Sequence, residues 1–416
     1  MTRSQGSPTS NFKLRSPYSN YLTVTAGYWA FTVTDGAIRM LVVLYFHLLG
    51  FSPFEVAMLF LFYEFFGVVT NLVGGWLGAR IGLNLTMHIG MGMQVVALSM
   101  LTVPDAWLSV AYVMAAQALS GIAKDLNKMS AKAAVKTLTA GGEVSDAEQR
   151  LFRWVAVLTG SKNALKGVGF FVGALLLEWL GFRGALILLA SALAVVLLVT
   201  AVLLPSGVGR MKSKPKFTQV FSRIPAINWL SAARFFLFGS RDVWFVVGLP
   251  VFLYEGLGWS FMEVGGFLAL WVIGYGFVQA SAPRLVGSRH GGASARLWAA
   301  VLLVFPVAIA LALDADWPAD WVLVVGLIAF GVVFAINSAV HSYLILAYSD
   351  HDKVAMNVGF YYMANAGGRL TGTVLSGALY QWAGLPGCLW ASALLVALAA
   401  LFSLRLPTVG GAAGQH

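Results

Sequence analysis

The segment Leu49-Gly50-Phe51-Ser52-Pro53-Phe54-Glu55-Val56 returns as Leu257-Gly258-Trp259-Ser260-Phe261-Met262-Glu263-Val264, 208 residues later in a chain of 416. A second echo lies about a helix further on, where Leu77-Gly78-Ala79-Arg80-Ile81-Gly82 reappears as Val286-Gly287-Ser288-Arg289-His290-Gly291 at a shift of 209. Two collinear matches at nearly one offset mean that one six-helix unit is written twice. Parallel repeats of this kind place a substrate site near the bilayer midplane, between the halves.

The unit belongs in a bilayer: the chain is 59% hydrophobic and 11% charged, against roughly 25% charged in a soluble domain. Apolar stretches long enough to cross a ~30 Å hydrocarbon core fall near 21–49, 54–79, 84–103, 107–130, 151–180 and 184–204. The second half repeats the count near 225–254, 261–285, 296–313, 320–348, 354–382 and 386–404. The expected fold is an all-α membrane protein of twelve transmembrane helices, arranged as two parallel six-helix pseudo-repeats. Residues 1–205 make the N-terminal six-helix bundle, 206–223 a cytoplasmic linker and 224–416 the C-terminal bundle.

Lys and Arg are retained in cytoplasmic loops. With both termini inside, eighteen basic residues fall on the inner side, among them Arg80, Lys212, Lys214, Lys216 and Arg289, and only Arg183 falls outside. The formal charge of +10 is therefore mostly topology, and nucleic acid is not expected as a partner. The first apolar stretch is too long for a signal-peptide core and lacks a small-residue cleavage site. The one cysteine, Cys388, excludes an internal disulfide and a cysteine metal cluster, and no cofactor or metal is expected. Without a Gly-x-x-x-x-Gly-Lys-Ser/Thr loop, nothing binds ATP. The absence of His-Glu-x-x-His and of a nucleophile elbow argues against an enzyme.

The loop after the second span, Gly75-Trp76-Leu77-Gly78-Ala79-Arg80-Ile81-Gly82, resembles the signature of the major facilitator superfamily. Gly75, Leu77, Arg80 and Gly82 match it, while Ala79 stands where that family has an aspartate. Gly75, Gly78, Arg80, Gly82 and, in the second copy, Arg289 are the candidate gating motif. Longer polar segments inside spans carry a closer likeness. Tyr28-Trp29-Ala30-Phe31-Thr32-Val33-Thr34-Asp35-Gly36-Ala37-Ile38-Arg39, Ser120-Gly121-Ile122-Ala123-Lys124-Asp125-Leu126-Asn127-Lys128, Gly160-Ser161-Lys162-Asn163-Ala164-Leu165-Lys166 and Gly239-Ser240-Arg241-Asp242-Val243-Trp244 resemble the organoarsenical efflux permeases of the ArsJ type. That resemblance implies a multi-pass protein of the bacterial inner membrane that exports 1-arseno-3-phosphoglycerate. It also implies a functional link to a glyceraldehyde-3-phosphate dehydrogenase, which makes that compound when arsenate replaces phosphate.

Independently of any likeness, the spans hold Arg39, Lys124, Lys128, Lys162, Lys166, Arg234, Arg241 and Arg369 against Asp35, Glu64, Asp125 and Asp242. At about 3 kcal/mol each on translocon scales, twelve such residues facing lipid would cost on the order of 30 kcal/mol. They must face a polar interior, and their excess of basic groups suits a small anion. Arg39, Lys162, Lys166, Arg241 and Arg369, with Asn365 as a hydrogen-bonding partner, are the expected substrate ligands. Arginine offers a bidentate fork to an oxyanion and lysine a point charge. Lys162 and Lys166 are spaced i,i+4 with no acidic partner at helical spacing in their own span. Arg241 points about 100° away from Asp242 around the helix, so the two need not pair.

Asp35, Glu64 and Asp242, near mid-membrane, are candidates for proton coupling, with Asp35 first because Arg39 lies one turn away. Lys124 and Lys128 lie toward the cytoplasm, where substrate entry and snorkelling to headgroups are equal readings. For the arginines the alternative to substrate binding is an internal ion pair. The competing functional reading is a sugar-phosphate or phosphate antiporter.

Overall fold

The computed structural model describes residues 17–139, 144–204, 224–286, 292–348 and 354–407. Within them the chain is helical, and the helix starts explain the repeat. Helix α1 (Pro17–Leu48) leads through a short turn into α2 (Pro53–Leu59), which breaks at Phe60 before α3 (Leu61–Ile81). At the α2 start the Glu55 N–H donates to Ser52 Oγ at 3.3 Å and the Ser52 N–H donates to Glu55 Oε2 at 2.8 Å. At the equivalent place in the second half the Glu263 N–H donates to Ser260 Oγ at 3.2 Å and the Ser260 N–H to Glu263 Oε2 at 2.7 Å. Each pair is a capping box that satisfies two helix-end donors reciprocally. Gly50 and Gly258 precede the boxes at φ 85° and 69°, a region where a Cβ costs roughly 1–2 kcal/mol. The most visible repeat in the sequence is thus a duplicated helix start.

The remaining elements are α4 (Leu83–Met100), α5 (Val110–Thr139), α6 (Val144–Leu203), α7 (Pro225–Phe245), α8 (Gly248–Val251), α9 (Phe261–Val286), α10 (Gly292–Asp314), α11 (Ala319–Ala347) and α12 (Val354–Ser403). A π-helical turn, Phe252–Gly256, continues α8. The two longest helices are each a pair, bent at Gly181 in α6 and at Gly384 in α12. Among the described residues eight helices are long and apolar enough to cross a membrane, and two of these are the double-length α6 and α12. Counting both limbs of each gives ten spans. Helices α4 and α5 complete twelve; both are diluted by polar residues, Asn84, His88 and Gln94 in one, and Lys124, Asp125 and Lys128 in the other. The expected second span, near 54–79, is in fact two helices, because the chain tightens at Phe60.

Outward faces are apolar, with Val202, Leu270 and Leu198 between 67% and 76% exposed, as a lipid-facing surface requires. Trp107, Trp179, Trp317, Trp321 and Trp382, all exposed, lie at the helix ends opposite the chain termini. They form half of an aromatic belt at headgroup level.

Within each half the long contacts are α1 along α6 and α7 along α12. Between the halves, α6 meets α9, and α12 meets α2 and α3. Small residues allow the approach: a Cβ on Gly377 of α12 would collide with the Pro53 carbonyl and the Cα of Phe54. Beside it the Phe54 N–H donates to Gln381 Oε1 at 3.3 Å, and His47 Nε2 lies 2.9 Å from Glu255 Oε1. The contacts of Gly377, Gln381 and His47 lie at the end away from the termini, so the two halves meet there.

Candidate functional site

Between the halves lies a cavity of about 170 Å³ whose wall includes all eight span cations together with Glu64 and Asp125. Asp35 and Asp242 stand just behind it, reached by ion pairs. The site thus holds eight cations and four carboxylates. The wall extends toward the termini through Asn71, Lys128, Ser342 and Tyr362, away from the end where those contacts lie.

Arg369 on α12 is the junction. Its Nη2 donates to Glu64 Oε1 of α3 at 2.6 Å and its Nε to Asp242 Oδ2 of α7 at 3.2 Å. Glu64, 1% exposed, also accepts from Arg39 Nη2 at 2.9 Å and lies 4.0 Å from Lys124 Nζ. One carboxylate of the first half therefore gathers two cations of its own half and one of the other.

Asp242 accepts from both Arg241 Nε, at 2.6 Å, and Arg241 Nη2. This corrects the expectation that the two need not pair: the long arginine side chain folds back over Phe238 and Phe245, which cancels the angular offset of neighbouring residues on a helix. Asp35 takes the Tyr63 hydroxyl at 2.5 Å and Lys166 Nζ at 3.4 Å. Its partner is thus Lys166 of α6, and Arg39, one turn away, goes to Glu64 instead. The acidic partner absent from Lys166's own span is supplied by α1. The backbones of these two helices nearly touch, since a Cβ on Gly36 would sit 2.5 Å from the Lys166 carbonyl.

Lys128 pairs with Asp125 Oδ1 at 2.6 Å and Asn71 Oδ1 at 2.7 Å. Lys124 sits deeper than expected, its Nζ 3.9 Å from the centre of the Tyr63 ring and within the Glu64 group. Lys162 and Asn163 line the cavity from α6, and Asn163 Nδ2 donates to Gln279 Oε1 of α9 at 3.1 Å, joining the halves. Asn365 accepts from Arg234 Nε at 2.8 Å. Of the gating motif, Gly75, Gly78 and Arg80 fall in the last turns of α3, and Gly82, at φ 98°, makes the break before α4. Arg289 lies outside the described residues.

Arg234 was counted in the sequence as a span charge and given no role. Its surroundings come from α11 and α12, more than a hundred residues away, so no local spacing points to them. An internal ion pair, by contrast, was legible as the alternative for Arg39, Arg241 and Arg369, and all three make one, through Glu64 and Asp242.

No curated protein matches the chain in sequence. Among solved structures it is similar to one described under substrate recognition in proton-dependent oligopeptide transporters, with a TM-score of 0.69 and 17% identity over 93% of this chain and 97% of the other. It is also similar to a bacterial homologue of the human drug peptide transporters PepT1 and PepT2, with a TM-score of 0.68 and 16% identity over 94% and 97%. At such identities the likeness is one of fold. The model of the Major Facilitator Superfamily matches residues 24–343, from the first span into the last turns of α11. A duplicated helix start, paired six-helix units and a polar cavity between them accompany that match, and the chain belongs to the Major Facilitator Superfamily.

Proposed function

We propose that this transporter is a secondary active exporter of a small organic oxyanion, working by alternating access, and that its cargo is 1-arseno-3-phosphoglycerate. The observation that carries the anion reading is the cavity wall, where eight cations meet Glu64 and Asp125, with Asp35 and Asp242 just behind. A zwitterionic peptide, the cargo named for the similar structures, asks for balanced lining. Even with the two carboxylates behind the wall counted, this site has twice as many cations as carboxylates. The choice of the arsenical rests on the resemblance of the polar span segments described above.

In this reading Arg39, Lys162, Lys166, Arg241, Arg369 and Asn365 form the substrate surface, and Lys124 and Lys128 lead into it from the side of the termini. Substrate oxygens offer Arg369 what Glu64 and Asp242 otherwise supply. At a few ångströms such attractions amount to roughly 4 kcal/mol at an effective dielectric of ~20, so exchanging one acceptor for another keeps the arginine solvated throughout. Exchange also frees Glu64 from a cation of the opposite half, which loosens the link between halves. Asp35, Glu64 and Asp242 are the groups available to take a proton when their cation turns to the substrate. The motif from Gly75 to Gly82 and its copy at Arg289 are the proposed gating elements of this cycle.

A sugar-phosphate or phosphate antiporter uses the same cavity. Proteoliposomes loaded with labelled phosphate separate the two readings. An antiporter of that kind accelerates phosphate efflux when phosphate or a sugar phosphate is outside, whereas the exporter leaves efflux near the leak rate.

A further inference from the structure

Arg234 on α7 is 4% exposed and lines the cavity, yet among the described residues no carboxylate lies within ion-pair distance of it. Its Nε donates to Asn365 Oδ1 at 2.8 Å, and its Nη1 to the Ser338 carbonyl at 3.1 Å and the Ser338 hydroxyl at 3.0 Å. Among the described residues its Nη2 has no hydrogen-bond acceptor. The guanidinium lies over Phe238 at 4.0 Å and Tyr361 at 5.1 Å, so its plane is fixed. A buried cation held only by neutral acceptors keeps nearly its full charge for a ligand, whereas Arg241 and Arg369 spend theirs on Asp242 and Glu64. The Ser338 hydroxyl that anchors it also receives the Tyr275 hydroxyl at 3.1 Å and Gln279 Nε2 at 3.4 Å. Gln279 in turn accepts from Asn163, next to Lys162, across the junction of the halves.

Arg234 and Arg241 are seven residues apart on α7, about 10.5 Å along the helix axis at ~1.5 Å per residue, and two turns bring them back to the same face. Along α7 the wall therefore offers two cationic points of different kind: the compensated group around Arg241 and Arg369, and Arg234, held by neutral acceptors. We propose that Arg234 anchors the second charged end of a two-ended anion, a short carbon chain with an oxyanion at each terminus, and so distinguishes such a substrate from a one-ended phosphate. This rests on the anion reading above and assigns one end of the cargo to a residue.

The test uses the full-length protein in detergent, with direct binding of 3-phosphoglycerate as the two-ended probe and inorganic phosphate as the one-ended probe. Arg234→Gln is expected to weaken 3-phosphoglycerate at least tenfold, while phosphate stays within twofold of wild type. Asn365→Asp, which keeps an acceptor in place but neutralises Arg234, is expected to shift the ratio of the two affinities the same way. That second variant decides the matter where Arg234→Gln does not fold. Equal weakening of both probes, or no change in their ratio in either variant, overturns the proposal. Wild-type protein that binds neither probe overturns the anion reading itself, and this inference with it.

Discussion

Arg369 of α12 donates to Glu64 of α3 at 2.6 Å, an ion pair between residues 305 positions apart that ties one six-helix unit to the other. Glu64 is nearly sealed from solvent, and removing one partner of such a pair costs about 3–5 kcal/mol because a charge is left uncompensated. Glu64→Gln is therefore expected to lower the thermal unfolding temperature in detergent markedly. Adding Arg39→Gln to it is expected to restore part of the loss, since the pair Arg39–Glu64 is then removed from both sides. A melting temperature unchanged by Glu64→Gln would mean that the pair contributes nothing to stability.

The cations that line the cavity are expected to bind cargo. Lys166→Gln, Arg241→Gln and Arg369→Gln should each reduce export ten- to a hundredfold with the protein retained in the membrane. That range follows from about 1.5–3 kcal/mol for one charge-assisted contact. Wild-type transport by Arg369→Gln would confine that residue to its ion pairs with Glu64 and Asp242.

Among the described residues Asp35 has one cation at ion-pair distance, Lys166, and one hydroxyl donor, Tyr63. In the proposed cycle Lys166 turns to substrate, which leaves Asp35 without its charge partner and free to take a proton. Asp35→Asn is expected to remove the dependence of export on the proton gradient while substrate-for-substrate exchange continues. Tyr63→Phe, which keeps the carboxylate and Lys166, is expected to retain gradient dependence. Gradient-driven export by Asp35→Asn would assign coupling to Glu64 or Asp242.

The contact between the halves at the end away from the termini depends on Gly377 lying against α2. Gly377→Leu is expected to hold that end apart and stop transport without unfolding the protein. In a Cys388→Ala background, a cysteine placed at Gln381 should then react faster with a membrane-impermeant maleimide than it does with Gly377 intact. Equal reactivity would show that the helices accommodate the side chain elsewhere.

Orientation is checked by reporter fusions. Those after Leu49, Asp316 and Leu385 should be active on the outer face, and those after Gly82, Lys214 and His416 on the inner face. A reversal at any site breaks the twelve-span topology with cytoplasmic termini.

The architecture was legible because its signals are local or periodic. Apolar length marks the spans, and the Ser52/Glu55 and Ser260/Glu263 caps repeat in sequence as they do in space. The site was legible only as an inventory of charges. Which carboxylate serves which cation depends on helix rotation and on contacts between halves. Arg39 passes over Asp35 for Glu64, and Arg241 folds back onto Asp242, neither of which spacing along a single helix reveals. Counting residues from a span end puts Lys124 toward the cytoplasm, but its ammonium lies by Tyr63 and Glu64. Arg234 shows the same limit from the other side: among the described residues its partners are the neutral groups of α11 and α12, and no motif around it signals that.

The most direct measurement is uptake of dehydrogenase-generated 1-arseno-3-phosphoglycerate by inverted membrane vesicles, with and without a proton gradient, for wild type and Arg369→Gln. Uptake well above that of vesicles lacking the protein, raised by the gradient and reduced at least tenfold in the variant, is the expected result. Uptake no greater than in vesicles lacking the protein, with labelled phosphate or a sugar phosphate exchanging freely instead, would contradict the arsenical export proposed here.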